Sequence, residues 1–321
     1  MNPRSQTPAA IRVAAPARLH LGFLDLNGSL GRRYGSIGLA IDHPQTALVV
    51  RHASHHSAQG PESDRALNLL KRYAGRSGRS YAITVEESIP AHAGLGSGTQ
   101  LALAIGAAIA RLEGQALTPY GLAQLGERGA RSGIGLSAFV SGGFIVDGGR
   151  GIRDEAPPVT MRMDFPEAWR CLLILDPHRA GVSGEAETQA FRALPEFPEQ
   201  AAARICRLVL MQLAPALAES DLSAFGAALT EIQEIVGGHF AKAQGGSPWT
   251  SAAVGRLAQR MRDLGATGIG QSSWGPTGFA FTGTAEAADR LYHSLVEEAK
   301  ADGLEITVAR GRNSGARILP A

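Results

Sequence analysis

Cysteine is nearly missing from this chain, and charge of either sign is in no excess. The 321 residues include two cysteines, Cys171 and Cys206, and 31 Lys and Arg against 29 Asp and Glu. Both cysteines sit in apolar surroundings with no close Cys or His, which excludes a zinc cluster. A reduced, cytoplasmic setting fits them. A formal net charge of +2, with no basic run and no interleaving of aromatic and basic residues, argues against nucleic acid as a partner. No stretch of about 18 apolar residues is present, so no membrane span is expected. The first fifteen residues lack a charged-then-apolar order, so no secretory signal is expected.

Glycine is abundant instead. It accounts for 40 residues, roughly 12% against a usual ~7%, and the excess gathers in a few loops. The richest is Pro90-Ala-His-Ala-Gly-Leu-Gly-Ser-Gly-Thr99, followed by an apolar run from Gln100 to Arg111 that reads as a helix. Positive φ is expected at Gly94, Gly96 and Gly98. Ser97 and Thr99 add hydroxyls. A Gly-rich loop opening into a helix aims free backbone N–H groups and the positive end of the dipole at one spot, which suits phosphate or pyrophosphate. The loop is not a Walker motif, because no Gly-Lys-Ser/Thr follows. Nor does it keep the dinucleotide-binding spacing. A tight strand-to-helix turn without a ligand is the alternative on local sequence.

Hydrophobic residues at 44% and charged residues at 19% describe a globular chain. Its length suits two domains. Residues 1–9 are expected to be a disordered tail. Strands are expected over 11–24 (interrupted at Pro16), 47–51, 81–87, 144–146, 169–175 and 304–309. Helices are expected over 64–74, 100–111, 201–218, 222–236, 251–264 and 285–301, with another running from Thr118 as its cap to near Arg131. His55-His56 reads as a solvated turn. Asp176, Glu185 and Glu187 read as loop acids. A composition shift at Ala156-Pro-Pro158 places a domain boundary there. Strands and helices mix without a strict βαβα rhythm, an α+β pattern in two parts.

Three motifs line up in order: Pro16-Ala-Arg-Leu-His-Leu-Gly22, the loop at Pro90 to Gly98, and Gly270-Gln-Ser-Ser-Trp-Gly-Pro276. Together they resemble the GHMP superfamily of small-molecule kinases. The resemblance implies a GHMP-type two-domain fold. Residues 10–156 would resemble ribosomal protein S5 domain 2, and residues 157–321 would be ferredoxin-like. The ligand would lie between them, with its phosphates on Gly94, Leu95, Gly96, Ser97, Gly98 and Thr99. Ala17 to Gly28, Arg131 to Gly135, Gly142 to Gly149 and Ala243 to Gly246 narrow the resemblance to the β-ribofuranosylaminobenzene 5′-phosphate synthase branch. That branch joins phosphoribosyl pyrophosphate to 4-aminobenzoate, with loss of pyrophosphate and carbon dioxide, in tetrahydromethanopterin synthesis.

One departure separates the chain from many kinases of the superfamily. Those carry an Asp in the second Gly-rich segment, whereas Ser132 to Ser141 holds no acid. An ATP-dependent GHMP kinase remains the alternative reading. For the transferase, the resemblance and the chemistry suggest Arg18, His20 and Arg131 as catalytic anchors. Asp25, Gln271, Ser272, Ser273, Trp274 and Gly275 are the substrate-binding candidates, with Trp274 as a flat wall. Mg²⁺ would sit on Ser97 or Thr99 with an acid such as Asp25 or Glu127. Arg18 on a strand surface, His20 in a core, Arg131 at a helix end and Gln271 to Ser273 holding a loop are the structural alternatives. A homodimer is expected from the resemblance and from the prevalence of two-fold oligomers.

Overall fold

The computed structural model describes residues 8–75, 78–115, 118, 121, 132–151, 156–181 and 184–321. Most of the tail expected over residues 1–9 therefore lies outside the described residues, as do Glu127 and Arg131.

Two long antiparallel strands organise the first half: β1 (Ala10–Asp25) and β2 (Tyr34–Ala53). Ile11, Val13 and Ala15 alternate inward at the start of β1, and the strand is then buried on nearly both faces. Pro16 cannot donate to a ladder. The strand continues through it because the register slips between Pro16 and Ala17. A second slip falls between His20 and Gly22. β3 (Ser57–Gln59) and β4 (Ser80–Glu87) extend the sheet on one side. Helices α1 (Ser63–Ala74) and α2 (Ser97–Leu112) cover a face of it. α2 is buried almost all round, so it is a core helix rather than an amphipathic one. It begins three residues before Gln100, and Gly98 is therefore helical rather than at positive φ.

Around α2 the sheet takes in more strands. β5 (Phe144–Asp147) pairs with β2, and β6 (Val159–Met163) pairs with β5. β11 (Arg317–Pro320) pairs with β1, giving the path β11-β1-β2-β4-β3. The sheet boundary therefore does not fall at 156/157. Pro157-Pro158 lies in the connection between β5 and β6, where the Pro158 carbonyl accepts from Gly148 N at 2.8 Å. The Gly-rich stretch 133–143 hides a helix, α3 (Ile134–Val140). Its low intrinsic propensity is overridden by burial of Ile134, Leu136, Ala138 and Phe139.

The second sheet is antiparallel, with β10 (Glu305–Arg310), β7 (Arg170–Leu175), β9 (Gly278–Thr282) and β8 (Thr267–Gln271) side by side in that order. Counted along the chain this is 4-1-3-2, the ferredoxin-like order. Between β7 and β8 lie α4 (Gly184–Ala193), α5 (Glu199–Glu219), α6 (Leu222–Phe240) and α7 (Ala252–Asp263). α8 (Ala285–Ala301) joins β9 to β10. Ser251 and Thr284 cap α7 and α8 through their hydroxyls. α4 corrects the expectation of a plain loop through Glu187. By length and composition α5 could cross a membrane, but Ala202, Ile205, Leu208, Leu213 and Leu217 bury its inner face in the core.

The two halves share one aromatic core. Phe225 of α6 is fully buried and meets Phe144 of the first sheet, Phe165 and Trp169 before β7, and Phe281 of the second sheet, with centroids 5.2 to 6.4 Å apart. A second aromatic group, Phe23, Phe191, Phe240 and Trp274, continues it toward the domain junction. Removing the Phe225 ring is expected to cost about 3–5 kcal/mol. Urea unfolding of Phe225→Ala checks this. One cooperative transition at lower midpoint fits a shared core, whereas two separated transitions would mean independent halves.

Candidate functional site

The loop before α2 is shaped by two glycines. Gly94 and Gly96 stand at φ +80° and +82°, where a side chain is strained. A Cβ on Gly94 would lie 2.4 Å from the Ser272 carbonyl oxygen, so nothing larger fits there. Leu95 between them is fully buried and anchors the loop, and its carbonyl accepts from Arg18 N at 3.1 Å. Gly96 caps α2, and its carbonyl accepts from Thr99 N and Gln100 N at 3.1 Å each. The first-turn N–H groups of Ser97 and Gly98 precede any intrahelical acceptor and point outward with the dipole. The Ser97 and Thr99 side chains are half-buried in the same turn.

Arg18 lies across this loop. Its Nη1 donates to the Gly94 carbonyl at 2.6 Å, and its Cγ lies 3.2 Å from where a Gly96 Cβ would stand. Burial lowers its pKa to about 10, and the Glu187 carboxylate of α4 acts in the opposite sense. The guanidinium is therefore cationic at neutral pH. A fixed cation, free N–H groups and a helix N-terminus converge there, an arrangement whose charge and geometry suit a phosphate or diphosphate.

The turn between β8 and β9 braces the loop. Ser272 is fully buried, donates from Oγ to the Gly94 carbonyl at 2.7 Å, and accepts from His20 N at 3.0 Å. Thr277 Oγ1 donates to the Ala93 carbonyl at 2.7 Å. Gln271 Oε1 accepts from Thr250 N at 2.7 Å, and its amide donates to the Ser273 carbonyl at 3.4 Å. Ser272 and Gln271 therefore hold the loop. Trp274, expected as a ligand wall, is instead core: it is 1% exposed, stacks on Phe240 with centroids 4.3 Å apart, and meets Phe191 edge-on at 5.2 Å. The left-handed Ser273 and Gly275 on either side turn the indole inward.

Asp25 is also displaced from its expected role. Its Oδ1 accepts from Asn27 N at 2.7 Å and Gly28 N at 2.9 Å, closing the turn after β1, five positions beyond His20. Asn-Gly and Asp residues favour such turns.

His20 is 4% exposed and packs 4.4 Å from the Phe23 ring. With Phe23, Val236, Phe240, Gln244 and Pro248 it lines a small cavity of about 20 Å³ that Ser273 also borders. Its Nε2 has no hydrogen-bond partner among the described residues. Burial, and then the nearby Arg18 charge, push its pKa down to about 3.

Two contributors were not visible from the sequence. Gln233 of α6 ties three elements, its Nε2 donating to the Leu21 carbonyl at 2.7 Å and its Oε1 accepting from Gln271 N at 2.9 Å. A lone amide facing inward on an apolar helix is its only signal. Asp147 is fully buried and accepts from Gly133 N (2.8 Å), Ser36 N (3.0 Å), Gly149 N (2.9 Å) and Ser132 Oγ (3.3 Å). It anchors the start of α3, where Ile134 is 1% exposed and no acid stands between 132 and 141.

The low pKa of His20 makes a prediction about stability. The unfolded ring titrates near 6.5 and the folded ring near 3, so the unfolded state binds the extra proton between those values. The contribution is complete above pH 6.5 and is lost as pH falls toward 3, by at most about 1.4 kcal/mol per pH unit. Urea unfolding of wild type and His20→Phe across pH 4 to 7 checks this. The wild type should lose more stability on acidification, and parallel curves would contradict it.

Comparison with known proteins places this geometry in a family. The GHMP kinases N terminal domain matches residues 63–143, and the GHMP kinases C terminal model matches residues 213–301. The chain is 35% identical to the β-ribofuranosylphenol 5′-phosphate synthase of Archaeoglobus fulgidus, over 96% of this chain and 99% of that one. It is 33% identical to the enzyme of the same name from Methanothermobacter thermautotrophicus, over 96% and 98%. Homoserine kinase from Cytophaga hutchinsonii shares the fold at a TM-score of 0.68 and 17% identity, over 98% of this chain and 99% of that one. Mevalonate diphosphate decarboxylase from Staphylococcus aureus does so at 0.67 and 16%, over 97% and 98%. The chain belongs to the GHMP superfamily and, within it, to the β-ribofuranosylphenol 5′-phosphate synthases, enzymes of the pentosyltransferase class.

Proposed function

We propose that this enzyme transfers the 5-phosphoribosyl group of phosphoribosyl pyrophosphate to the carboxyl-bearing ring carbon of 4-aminobenzoate, releasing pyrophosphate and carbon dioxide, in cytoplasmic tetrahydromethanopterin synthesis. The observation that carries the reading is Arg18 held over the Gly94–Gly96 turn at the start of α2. As the sugar C1′–oxygen bond breaks, negative charge grows on the diphosphate. A preorganised cation and backbone N–H groups stabilise that charge where it develops.

The rest of the reaction needs little from the protein. The para amino group pushes electrons to the ring carbon, which bonds to C1′. The carbon–carboxylate bond then breaks, its electron pair restores aromaticity, and carbon dioxide leaves with no net proton to place. A site without a strong base suits this sequence of steps. The kinase alternative needs a destination for an acceptor hydroxyl proton; residues 132 to 141 hold no acid, and the Asp147 carboxylate at the start of α3 is buried and occupied by the backbone N–H groups of Ser36, Gly133 and Gly149.

A second acceptor, 4-hydroxybenzoate, is favoured by the relatives' names, which describe a phenol product. Its hydroxyl supplies the same electron push. For Mg²⁺, no three His, Cys, Asp or Glu side chains cluster among the described residues. Mg²⁺ on a diphosphate keeps several waters and takes one or two protein oxygens, which the Ser97 and Thr99 hydroxyls supply. Bound there, it would neutralise leaving-group charge. The working form is a homodimer, in keeping with the commonest oligomer symmetry.

The test is release of labelled carbon dioxide from carboxyl-labelled 4-aminobenzoate or 4-hydroxybenzoate, with phosphoribosyl pyrophosphate and Mg²⁺. Sugar-dependent release is expected, and the faster acid identifies the acceptor. ADP formation with a small alcohol and no carbon dioxide would overturn the reading. Arg18→Met should lower kcat/KM for the sugar by about 10²–10³-fold. Gly96→Ala, strained at its φ and crowding Arg18, should raise the sugar KM by about tenfold while leaving the fold intact by circular dichroism. Unchanged sugar kinetics in both variants would remove the loop from the site.

A further inference from the structure

α4 is held against the site from both sides. Ahead of it, Gly181 donates from N to the His92 carbonyl at 2.8 Å. A Cβ on Gly181 would run into the Gly275 carbonyl oxygen, so the chain is wedged between the phosphate loop and the turn that braces it. Within α4, Phe191 meets Trp274 at 5.2 Å, Tyr34 at 5.5 Å and Phe23 at 5.8 Å, all edge-on or close to it except the Tyr34 ring at 75°. The helix therefore runs from the phosphate loop toward the aromatic group at the domain junction.

Glu187 stands one helical turn before Phe191 and shares its inward face. Four residues of helix place it about 6 Å nearer the loop. It is half-buried, whereas Glu185 in the same turn is exposed. Its charge acts on Arg18, the cation held over the Gly94–Gly96 turn. A carboxylate in that position is out of keeping with a bare anion site. A diphosphate carries more negative charge than one guanidinium cancels, and a like charge beside it in a partly buried site opposes its entry. A divalent cation shared by the two reconciles them, since Mg²⁺ on phosphates is completed by one or two carboxylates and water.

We propose that Glu187 is the acid of the diphosphate site, its carboxylate taking one position on the Mg²⁺ that the diphosphate carries, so that the loop admits the metal complex and rejects the metal-free anion. The inference rests on the diphosphate reading above and names the residue that selects the form of that substrate. Glu187 adds a charged oxygen to the hydroxyls of Ser97 and Thr99. It takes the place expected of Asp25, whose Oδ1 is occupied by the backbone N–H groups of Asn27 and Gly28.

The selection serves the reaction. When the C1′–oxygen bond breaks, its electron pair goes to the diphosphate, and a metal-complexed diphosphate accepts that charge more readily than a bare one. Glu187 and Arg18 then divide the work. The carboxylate admits the form that leaves well, and the guanidinium meets the oxygen charge that the metal does not neutralise.

The test is calorimetric binding of inorganic pyrophosphate to the full chain, once with Mg²⁺ and once with EDTA. Wild type should bind the magnesium form at least about tenfold more tightly than the metal-free form. Glu187→Gln should bring the two within about twofold, with the metal-free form gaining affinity as the repulsion is removed. Glu187→Asp should restore part of the gap, and Glu185→Gln should leave it as in wild type. A merely structural role would weaken both forms together. In the second readout, the electron paramagnetic resonance signal of free Mn²⁺ at saturating pyrophosphate should be lost at about tenfold lower protein concentration with wild type than with Glu187→Gln. An unchanged gap in Glu187→Gln would overturn the inference, as would a wild type that binds both forms alike, which needs no variant to fold. Carbon dioxide release with no effect of Glu187 on the gap would remove this role and leave the proposed reaction standing. A Glu187-dependent gap without release would support the role and overturn the reaction.

Discussion

One carbonyl oxygen, that of Gly94, accepts from both Arg18 Nη1 and Ser272 Oγ, at 2.6 and 2.7 Å. Its two lone pairs are thereby committed, one to a strand of the first sheet and one to a turn of the second. The rest of the site follows from that double acceptance. It fixes the plane of the peptide after Gly94, sets the entry angle into α2, and holds a guanidinium beside the first turn of that helix. A charged donor makes this stronger than a typical neutral hydrogen bond. The Thr277 bond to Ala93 repeats the tie one residue back.

The same cation also sets the state of its neighbour. Arg18 and His20 are two positions apart on β1 and share a face of the strand. Burial alone would keep His20 neutral, and the adjacent charge adds to it. The strand thus carries a buried cation and an uncharged imidazole side by side.

Much of this could be read from residues, and the failures have physical causes. The strand expected over 11–24 and the helices expected over 251–264 and 285–301 lie close to their observed limits. The Gly94-Leu-Gly96 loop, with Arg18 and His20, came from local chemistry and the order of motifs. What could not be read was contact made by distant packing. Trp274 between a serine and a glycine suggested an exposed wall, yet Phe191 and Phe240 (34 residues and more away) receive the indole. Asp25 looked available until two backbone N–H groups were seen to occupy it. Pro157-Pro158 resembled a linker because proline marks both linkers and the turns between strands. α3 was obscured because glycine and β-branched residues favour helix weakly, and burial decided the matter.

β11 has a consequence for how the molecule assembles. β1 pairs early with β2, its neighbour along the chain, but residues Ile11 to Ala14 find their other partners roughly three hundred residues later. During synthesis the outer edge of the strand that presents Arg18 and His20 is therefore open until the last elements emerge. Such an edge is a template for pairing with another chain, and contacts so distant in sequence form slowly. The strand that carries Arg18 and His20 is thus one whose N-terminal edge is closed only by the final residues of the chain.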